Sequence, residues 1–257
     1  MGGTVVIKFG GGLITDKENI CTPNLASIDS LCKTIAKIDR KIILIHGAGS
    51  YGHMKSKKAR LSEGRIIDLD QDDAVSEVRF DMLELNKLVL SCLSKYGLQA
   101  ECFPPRDWAI GTGSNFVGNL PVSEHITVTF GDVVSDEEQE FGILSGDDLM
   151  YRYATELEDV DCVIFAMGGV DGLLRVPPEV ATEDDLFSIW SPAMKFEGEH
   201  STEFDVTGGI GLKVTRGSMI ADSGIDVWLV NGEHPDRIID IIDGKPTIGT
   251  KIVSGNS

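Results

Sequence analysis

The segment from Ile42 to His53 constrains the fold more than any other part of the sequence. Its first four residues, Ile-Ile-Leu-Ile, are typical of a buried strand, and the next eight are His-Gly-Ala-Gly-Ser-Tyr-Gly-His. Because glycine has no Cβ and tolerates positive φ, several successive N–H groups of such a loop can point at one anion. Basic residues follow at Lys55, Lys57, Lys58 and Arg60. The segment therefore predicts a strand that leads into a phosphate-binding loop.

The same arrangement, a strand followed by glycines, recurs along the chain. Residues 4–9 are largely β-branched and precede Gly10, Gly11 and Gly12, and residues 161–166 precede the turn Gly168-Gly169-Val170-Asp171-Gly172. Another glycine pair, Gly208-Gly209, opens a helix. The predicted strands are residues 4–9, 42–46, 98–103, 126–130, 161–166, 225–230 and 247–253.

Apolar residues spaced three and four apart predict amphipathic helices between these strands. The predicted helices include residues 24–38, residues 72–95, a helix through about Asp222 and a short one opened by Pro235. Another helix follows from residues 141–148, with Ser145 as its N-cap and apolar residues through Leu157. Residues 106–125 and 177–203 have little periodicity and are predicted to be irregular. Strands alternating with helices predict an α/β fold with a mostly parallel sheet and helices on both faces.

The glycine loops all follow strands, so the carboxyl ends of a parallel sheet would bring them together. Lys8 lies inside the first strand, where a buried ammonium group needs a partner or a function. The alternative is a lysine that reaches solvent from an edge strand. Asp147 and Asp148 follow the Ser145 cap, where carboxylates also favour the positive end of a helix without any further role.

Composition limits the partners. The 257 residues carry 41 acidic and 23 basic side chains, a net charge of −18, which argues against nucleic acid and anionic membrane as partners. No uncharged apolar run approaches about 20 residues, and no basic-then-apolar leader is seen, so we expect a cytoplasmic protein. The five cysteines form no CxxC pair, which predicts reduced thiols and neither a disulfide framework nor a zinc site.

Two kinds of chemistry fit the loops. Gly47, Gly49 and Gly52 match the GxGxxG dinucleotide fingerprint, with Asp68 or Asp70 near the place of a ribose-binding acid, so an oxidoreductase is one alternative. That alternative leaves the lysines of the other glycine loops unexplained. Several lysine-bearing glycine loops favour phosphoryl transfer from a nucleotide triphosphate, which depends on positioning and charge neutralisation. A P-loop kinase is not indicated, because the sequence lacks GxxxxGK[ST].

In order and from end to end, several motifs resemble those of the isopentenyl phosphate kinases of the amino-acid-kinase superfamily. They are Lys8-x-Gly10-Gly11, His46-Gly-Ala-Gly-Ser-Tyr-Gly-His53, Gly131-Asp-Val-Val134, Ser145-Gly-Asp-Asp148, Val170-Asp-Gly172 and Asp205-Val-Thr-Gly-Gly209. The resemblance implies an open αβα sandwich in one domain over residues 1–257, in a homodimer. It also implies direct in-line transfer of the ATP γ-phosphoryl group to isopentenyl phosphate, with Mg²⁺ and without a covalent intermediate. Residues to about 150 would bind the acceptor and form the dimer, and those from about 151 would bind the nucleotide.

The resemblance also implies roles for individual residues. The expected catalytic residues are Lys8, Lys17, His53 and Asp147. ATP would contact Lys8, Gly10, Gly11, Gly12, Gly49, Asp171, Gly209 and Lys213, and the acceptor phosphate would contact Ala48, Gly49, His53 and Gly146, with no protein ligand to a metal. A phosphate monoester has a second pKa of about 6, so the acceptor is mostly a dianion at neutral pH and needs no general base. His53 is therefore expected to donate a hydrogen bond.

Two further alternatives remain on the same fold. The first is a kinase of another small anionic acceptor, such as a fosfomycin-like phosphonate or an acyl amino acid. The second is a noncatalytic protein that binds nucleotide or anion, because Gly169 stands where the family usually has an aspartate before Val-Asp-Gly.

Overall fold

An eight-stranded, mostly parallel sheet forms the centre of this computed structural model, which describes residues 2–16, 18–194 and 209–255. The strands in these ranges are β1 Thr4–Phe9, β2 Ile42–His46, β3 Ala100–Cys102, β4 Ile126–Phe130, β5 Asp132–Asp136, β6 Glu140–Leu144, β7 Val160–Met167, β8 Ile189–Trp190, β9 Asp226–Asn231 and β10 Thr250–Ile252. The order in the large sheet is β3-β4-β2-β1-β7-β9-β10-β8, and β5 pairs with β6 in a separate hairpin. Only the β9–β10 pair of the large sheet is antiparallel in the described residues.

Helices cover both faces of the sheet. They are α1 Gly11–Ile14, α2 Leu25–Ile35, α3 His53–Lys58, α4 Asp72–Lys95, α5 Gly146–Glu156, α6 Ile210–Asp222 and α7 Asp236–Ile242. Apolar residues of α2, α4 and α7 share one buried cluster with one face of β1, and apolar residues of α5 and α6 share a second cluster with the other face. The predicted α/β class and αβα sandwich are therefore confirmed. None of the helices in the described ranges is both long enough and apolar enough to cross a membrane.

Strand β1 lies in the interior of the sheet and decides where Lys8 points. It pairs in parallel with β2 on one side and β7 on the other, so the edge-strand explanation for Lys8 is wrong. Side chains alternate between faces along a strand. Val5 and Ile7 enter the cluster with α4, whereas Val6 enters the cluster with α5, so Lys8 shares the α5 face with Val6.

Some predicted elements need correction. The helix predicted over 72–95 is confirmed as Asp72–Lys95, and the helix with Ser145 as its N-cap is confirmed as Gly146–Glu156, but residues 141–144 before that cap form strand β6. The β5–β6 hairpin was missed because its turn is a polar run that hides the alternation of the flanking residues. Strand β8 lies in the segment predicted to be irregular, and two residues are too few to show a period. The part of that segment from 195 to 203 is outside the described residues.

Candidate active site

Three glycine loops, which follow β1, β2 and β7, interlock at the carboxyl edge of the sheet. A Cβ atom on Gly11 would lie 2.2 Å from the amide nitrogen of Gly49, and one on Gly47 would lie 2.5 Å from the amide nitrogen of Gly11. Gly49 also has a φ of +48°, a conformation that favours glycine. A Cβ atom on Gly168 would meet the Gly12 carbonyl at 2.8 Å. Backbone therefore packs directly on backbone, which leaves no room for side chains between the loops.

Peptide N–H groups at these loops are free to bind an anion. Within the described residues, the N–H groups of Ala48 and Gly49 have no hydrogen-bond acceptor. Gly146 begins α5, whose Ser145 N-cap accepts a hydrogen bond from Asp147 N at 3.1 Å and contributes about 1 kcal/mol to the helix. A Cβ atom on Gly146 would lie 3.1 Å from Lys8 Nζ. The first turn of α5 therefore faces the Lys8 ammonium group.

One buried carboxylate holds two lysines from distant parts of the chain. Asp147 Oδ1 lies 2.5 Å from Lys8 Nζ, and Asp147 Oδ2 lies 3.2 Å from Lys213 Nζ. The Asp147 and Lys8 side chains are 3% and 5% exposed, and the Lys213 side chain is 14% exposed. Asp147 thus does more than complement the helix dipole, because it orients both ammonium groups toward one place.

The charges at this cluster depend on one another. Burial lowers the pKa of Lys8 to about 8, although the Asp147 carboxylate acts in the opposite direction. Burial also opposes ionisation of Asp147, but the ammonium groups of Lys8 and Lys213 outweigh it and hold its pKa below the usual range. Asp147 is therefore ionised at neutral pH, and Lys8 keeps its proton largely because of that carboxylate.

The neighbouring carboxylate anchors the helix that carries Lys213. Arg216 Nε donates to Asp148 Oδ1 at 2.7 Å, and Lys213 Nζ also donates to the Gly209 carbonyl at 3.0 Å. Lys213 and Arg216 are three residues apart, which places them on one face of α6 toward α5. Sequence reasoning missed Arg216, although this spacing opposite two consecutive aspartates was a usable signal.

His53 begins helix α3, directly after the Gly47–Gly52 loop. Its ring is exposed, but the surrounding protein limits its hydration and the charges of Lys8 and Lys213 repel an imidazolium. These effects lower the pKa of His53 below its ordinary value. The ring is therefore neutral near pH 7 and still has one N–H to donate.

Asp171 lies beyond the end of β7 and is held by a residue that sequence reasoning missed. Arg237 Nη1 lies 2.6 Å from Asp171 Oδ1, and Asn231 Nδ2 lies 3.2 Å from the same oxygen. Partial burial opposes ionisation of Asp171, but these donors hold its pKa below the usual range. Gly169 has a φ of +78°, and no atom lies within 4 Å of where its Cβ would be.

The structure thus brings most of the predicted residues to one edge of the sheet. Lys8, Asp147, Lys213 and Gly146 are in contact, and Gly209 accepts a hydrogen bond from Lys213. Gly10 and Gly11 pack against the loop that carries Ala48 and Gly49, and Gly12 packs against Gly168. Lys17 and the Asp205–Gly208 part of the last motif lie outside the described residues. The GxGxxG match does not have a dinucleotide arrangement, because its loop continues into one 3₁₀ turn and the six-residue helix α3.

Comparisons with known proteins agree with this fold. The sequence profile described as "Amino acid kinase family" matches residues 3–231, and the chain belongs to that family. Within it, the chain is 31% identical to the isopentenyl phosphate kinase of Thermoplasma acidophilum, over 96% of this chain and 99% of that protein. It is 26% identical to the isopentenyl phosphate kinase of Methanocaldococcus jannaschii, over 96% of this chain and 97% of that protein. A solved isopentenyl phosphate kinase substrate complex superimposes with a TM-score of 0.80 at 27% identity, covering 97% and 99% of the two chains.

Proposed function

We propose that this chain transfers the γ-phosphoryl group of ATP to isopentenyl phosphate, giving isopentenyl diphosphate in a direct in-line reaction. The observation that carries the proposal is the buried Asp147 carboxylate that holds Lys8 and Lys213 beside the first turn of α5. Two ammonium groups fixed in this way can neutralise the charge that moves between donor and acceptor phosphates. The nearly full-length similarity to isopentenyl phosphate kinases supports the choice of acceptor.

We propose that the acceptor phosphate binds to the free backbone N–H groups of the loop after β2. Ala48 and Gly49 would donate backbone N–H groups, Gly146 would donate the first amide of α5, and His53 would donate a ring N–H. Backbone donors of this kind bind a phosphate without the desolvation cost of a buried side-chain charge. Because the acceptor is already a dianion, the reaction needs these donors to position it and does not need a base.

We propose that the nucleotide binds on the side of Lys8 and Lys213 that is opposite the acceptor. Gly10, Gly11 and Gly12 would contact the phosphates of ATP together with Lys8, and Gly209 and Lys213 would bind them at the start of α6. Asp171, fixed by Arg237, would contact the nucleoside end. We propose that Lys17 adds a further positive charge to the transferred group.

The carboxylates of the site fit a Mg²⁺ ion carried by ATP better than one held by the protein. No group of three or more His, Cys, Asp or Glu side chains within the described ranges could hold a metal ion, and both oxygens of Asp147 contact lysines. Mg²⁺ is commonly bound through substrate phosphates with few protein ligands. When bound there, it neutralises phosphate charge. The absence of a protein ligand to the metal remains a prediction.

We also propose a cytoplasmic homodimer in which residues to about 150 bind the acceptor and contribute the dimer interface, and later residues bind the nucleotide. The acceptor loop and His53 lie in the first part, and Asp171, Gly209 and Lys213 lie in the second. The five cysteines are free thiols, the state that a reducing compartment maintains.

The proposed acceptor is tested by measuring ADP release and the phosphorylated product with ATP and one acceptor at a time. We expect the highest kcat/KM with isopentenyl phosphate, compared with fosfomycin and N-acetylglutamate at equal concentrations. Product identity would be checked by ³¹P NMR, since a diphosphate has two coupled signals. A higher kcat/KM for either of the other two acceptors, or no turnover with any of them, would contradict the proposal.

Replacing His53 with alanine should mainly weaken acceptor binding. A hydrogen bond to a dianionic phosphate is worth about 1.5–3 kcal/mol, so the KM for isopentenyl phosphate should rise about tenfold to a hundredfold with little change in the KM for ATP. His125→Ala is the matched control, because His125 is also exposed and directly precedes β4 at the opposite edge of the sheet. If kcat/KM for the acceptor stayed unchanged in His53→Ala, the acceptor phosphate would be misplaced in our proposal.

A further inference from the structure

His46 is a buried polar residue that the proposed chemistry does not use. It is the last residue of β2, with none of its surface exposed, and it directly precedes the loop that carries Ala48 and Gly49. Its Nδ1 lies 3.3 Å from the Gly47 carbonyl oxygen, and its Nε2 lies 3.3 Å from the side-chain oxygen Oδ1 of Asn86 on α4. Its ring also packs 5.0 Å from the ring of Phe130.

The surroundings of His46 decide which ring nitrogen carries the proton. Burial, together with the charge of Lys8, lowers the pKa of His46 to about 4, although its two hydrogen bonds act in the opposite direction. The ring is therefore neutral near pH 7 and has a single N–H. The Gly47 carbonyl can only accept, whereas a 180° turn of the Asn86 amide exchanges its Oδ1 for its NH₂ group, so that N–H belongs on Nδ1. Nε2 is then an acceptor, and the Asn86 amide satisfies it when its NH₂ group faces the ring.

The Gly47 carbonyl matters because it shares a peptide unit with the Ala48 amide. In a trans peptide the C=O and N–H bonds point in opposite directions. A hydrogen bond that fixes the direction of the Gly47 carbonyl therefore also fixes the direction of the Ala48 N–H group. Gly47 would otherwise allow this peptide to rotate, and its own N–H bond to the Phe9 carbonyl at 2.9 Å fixes only the preceding peptide unit.

We propose that His46 is a positioning residue, whose Nδ1–H holds the Gly47 carbonyl so that the Ala48 N–H points at the acceptor phosphate. Asn86 completes the arrangement by holding the other side of the ring from α4. The inference rests on the proposed function, because it assumes that the acceptor phosphate binds at Ala48. The loop after β2 would then depend on two histidines. The buried, neutral His46 orients the Gly47–Ala48 peptide, and the exposed His53 contacts the phosphate.

Two substitutions separate the two hydrogen bonds of His46. The asparagine of His46→Asn can place its amide nitrogen close to the position of Nδ1, which preserves the donor to Gly47 and loses the contact with Asn86. The glutamine of His46→Gln reaches toward the position of Nε2, which preserves the contact with Asn86 and loses the donor to Gly47. We expect the KM for isopentenyl phosphate to stay within about threefold of the wild type in His46→Asn and to rise about tenfold in His46→Gln.

Both variants should keep the wild-type KM for ATP, and their melting temperatures should fall by similar amounts, because each loses one buried hydrogen bond. If His46 had only a structural role, the two substitutions would lower the melting temperature without a selective rise in the acceptor KM of His46→Gln. Equal acceptor KM values in the two variants, or a larger rise in His46→Asn, would overturn the proposal.

A measurement on the unmodified protein tests the same inference without relying on turnover or on the folding of a variant. In ¹⁵N NMR spectra at pH 7, the His46 ring should show a protonated Nδ1 and an unprotonated Nε2. The reverse tautomer or an imidazolium would refute the positioning role. If the tautomer is as expected and isopentenyl phosphate is not phosphorylated by the wild type, the proposed function fails while the hydrogen bond to Gly47 stands.

Discussion

Replacing Lys8 with methionine should reduce kcat by about a thousandfold or more while the protein remains folded. The Lys8 ammonium group lies in the buried cluster beside Gly146, where few water molecules could substitute for its charge. Methionine has a similar length and is apolar, so the site loses the charge and keeps most of the packing. Asp147 retains Lys213 as a partner, which limits the cost of leaving it buried. Initial rates with saturating ATP and isopentenyl phosphate, with circular dichroism to check folding, measure the effect.

Lys37→Met is the matched control for this substitution. Lys37 forms an ion pair with Asp236 at 3.1 Å, but its side chain is 52% exposed, and such surface pairs contribute little to stability. We expect wild-type rates from the control. Should Lys8→Met retain a kcat within about tenfold of the wild type, Lys8 would not stabilise the charge of the transferred group.

Replacing Asp147 with asparagine should lower activity at pH 8 by about a hundredfold and move the pH dependence of kcat/KM to lower pH. In the wild type, burial lowers the pKa of Lys8 to about 8 even though the Asp147 carboxylate raises it. Without that carboxylate, burial and repulsion by Lys213 lower the pKa of Lys8 further. Lys8 would then lose its proton at a pH where the wild type still keeps it. Lowering the pH should restore part of the activity, because it protonates Lys8 again.

Asp148→Asn is the control for Asp147→Asn. Asp148 forms its ion pair with Arg216 and not with Lys8 or Lys213, so its substitution should weaken the contact between α5 and α6. The alkaline decline of kcat/KM should shift less in Asp148→Asn than in Asp147→Asn. The pH dependence is measured as kcat/KM for ATP from pH 6 to pH 9, because kcat/KM reports the ionisation of the free enzyme. Equal alkaline shifts in both variants would mean that Asp147 does not control the charge of Lys8.

The sequence predicted the frame of the fold because its long elements have clear periods. The sequence predicted both ends of α4 (72–95) and of β2 (42–46) correctly. Gly97, which was predicted to stop α4, has a φ of +77° just after the helix ends. Elements without a readable period were missed: β8 has two residues, and the β5–β6 hairpin has a charged turn. The limit is physical, because short strands are fixed by their neighbours and not by local preference.

The candidate site could be predicted only as far as its motifs extend. Glycine loops and Lys8 were visible in the sequence, but the pairing of Lys8 with Asp147 joins residues 139 positions apart and follows from the strand order. Arg216, Arg237 and His46 act by orienting other residues. Such residues do not belong to a sequence motif, because any side chain that can hydrogen-bond to the same atom can orient it equally well. Their partners became apparent only from the packing of α6, α7 and β2.

The central position of β1 has a consequence for how the chain folds during synthesis. β1 precedes the other described strands, yet one of its two hydrogen-bonding edges waits for β7, which begins at Val160. Lys213, which shares Asp147 with Lys8, lies more than 200 residues after Lys8. Contacts between such distant residues close slowly. An open edge on an apolar strand can meanwhile pair with other chains. A nascent chain of this protein would therefore depend on shielding of β1 until β7 has emerged from the ribosome.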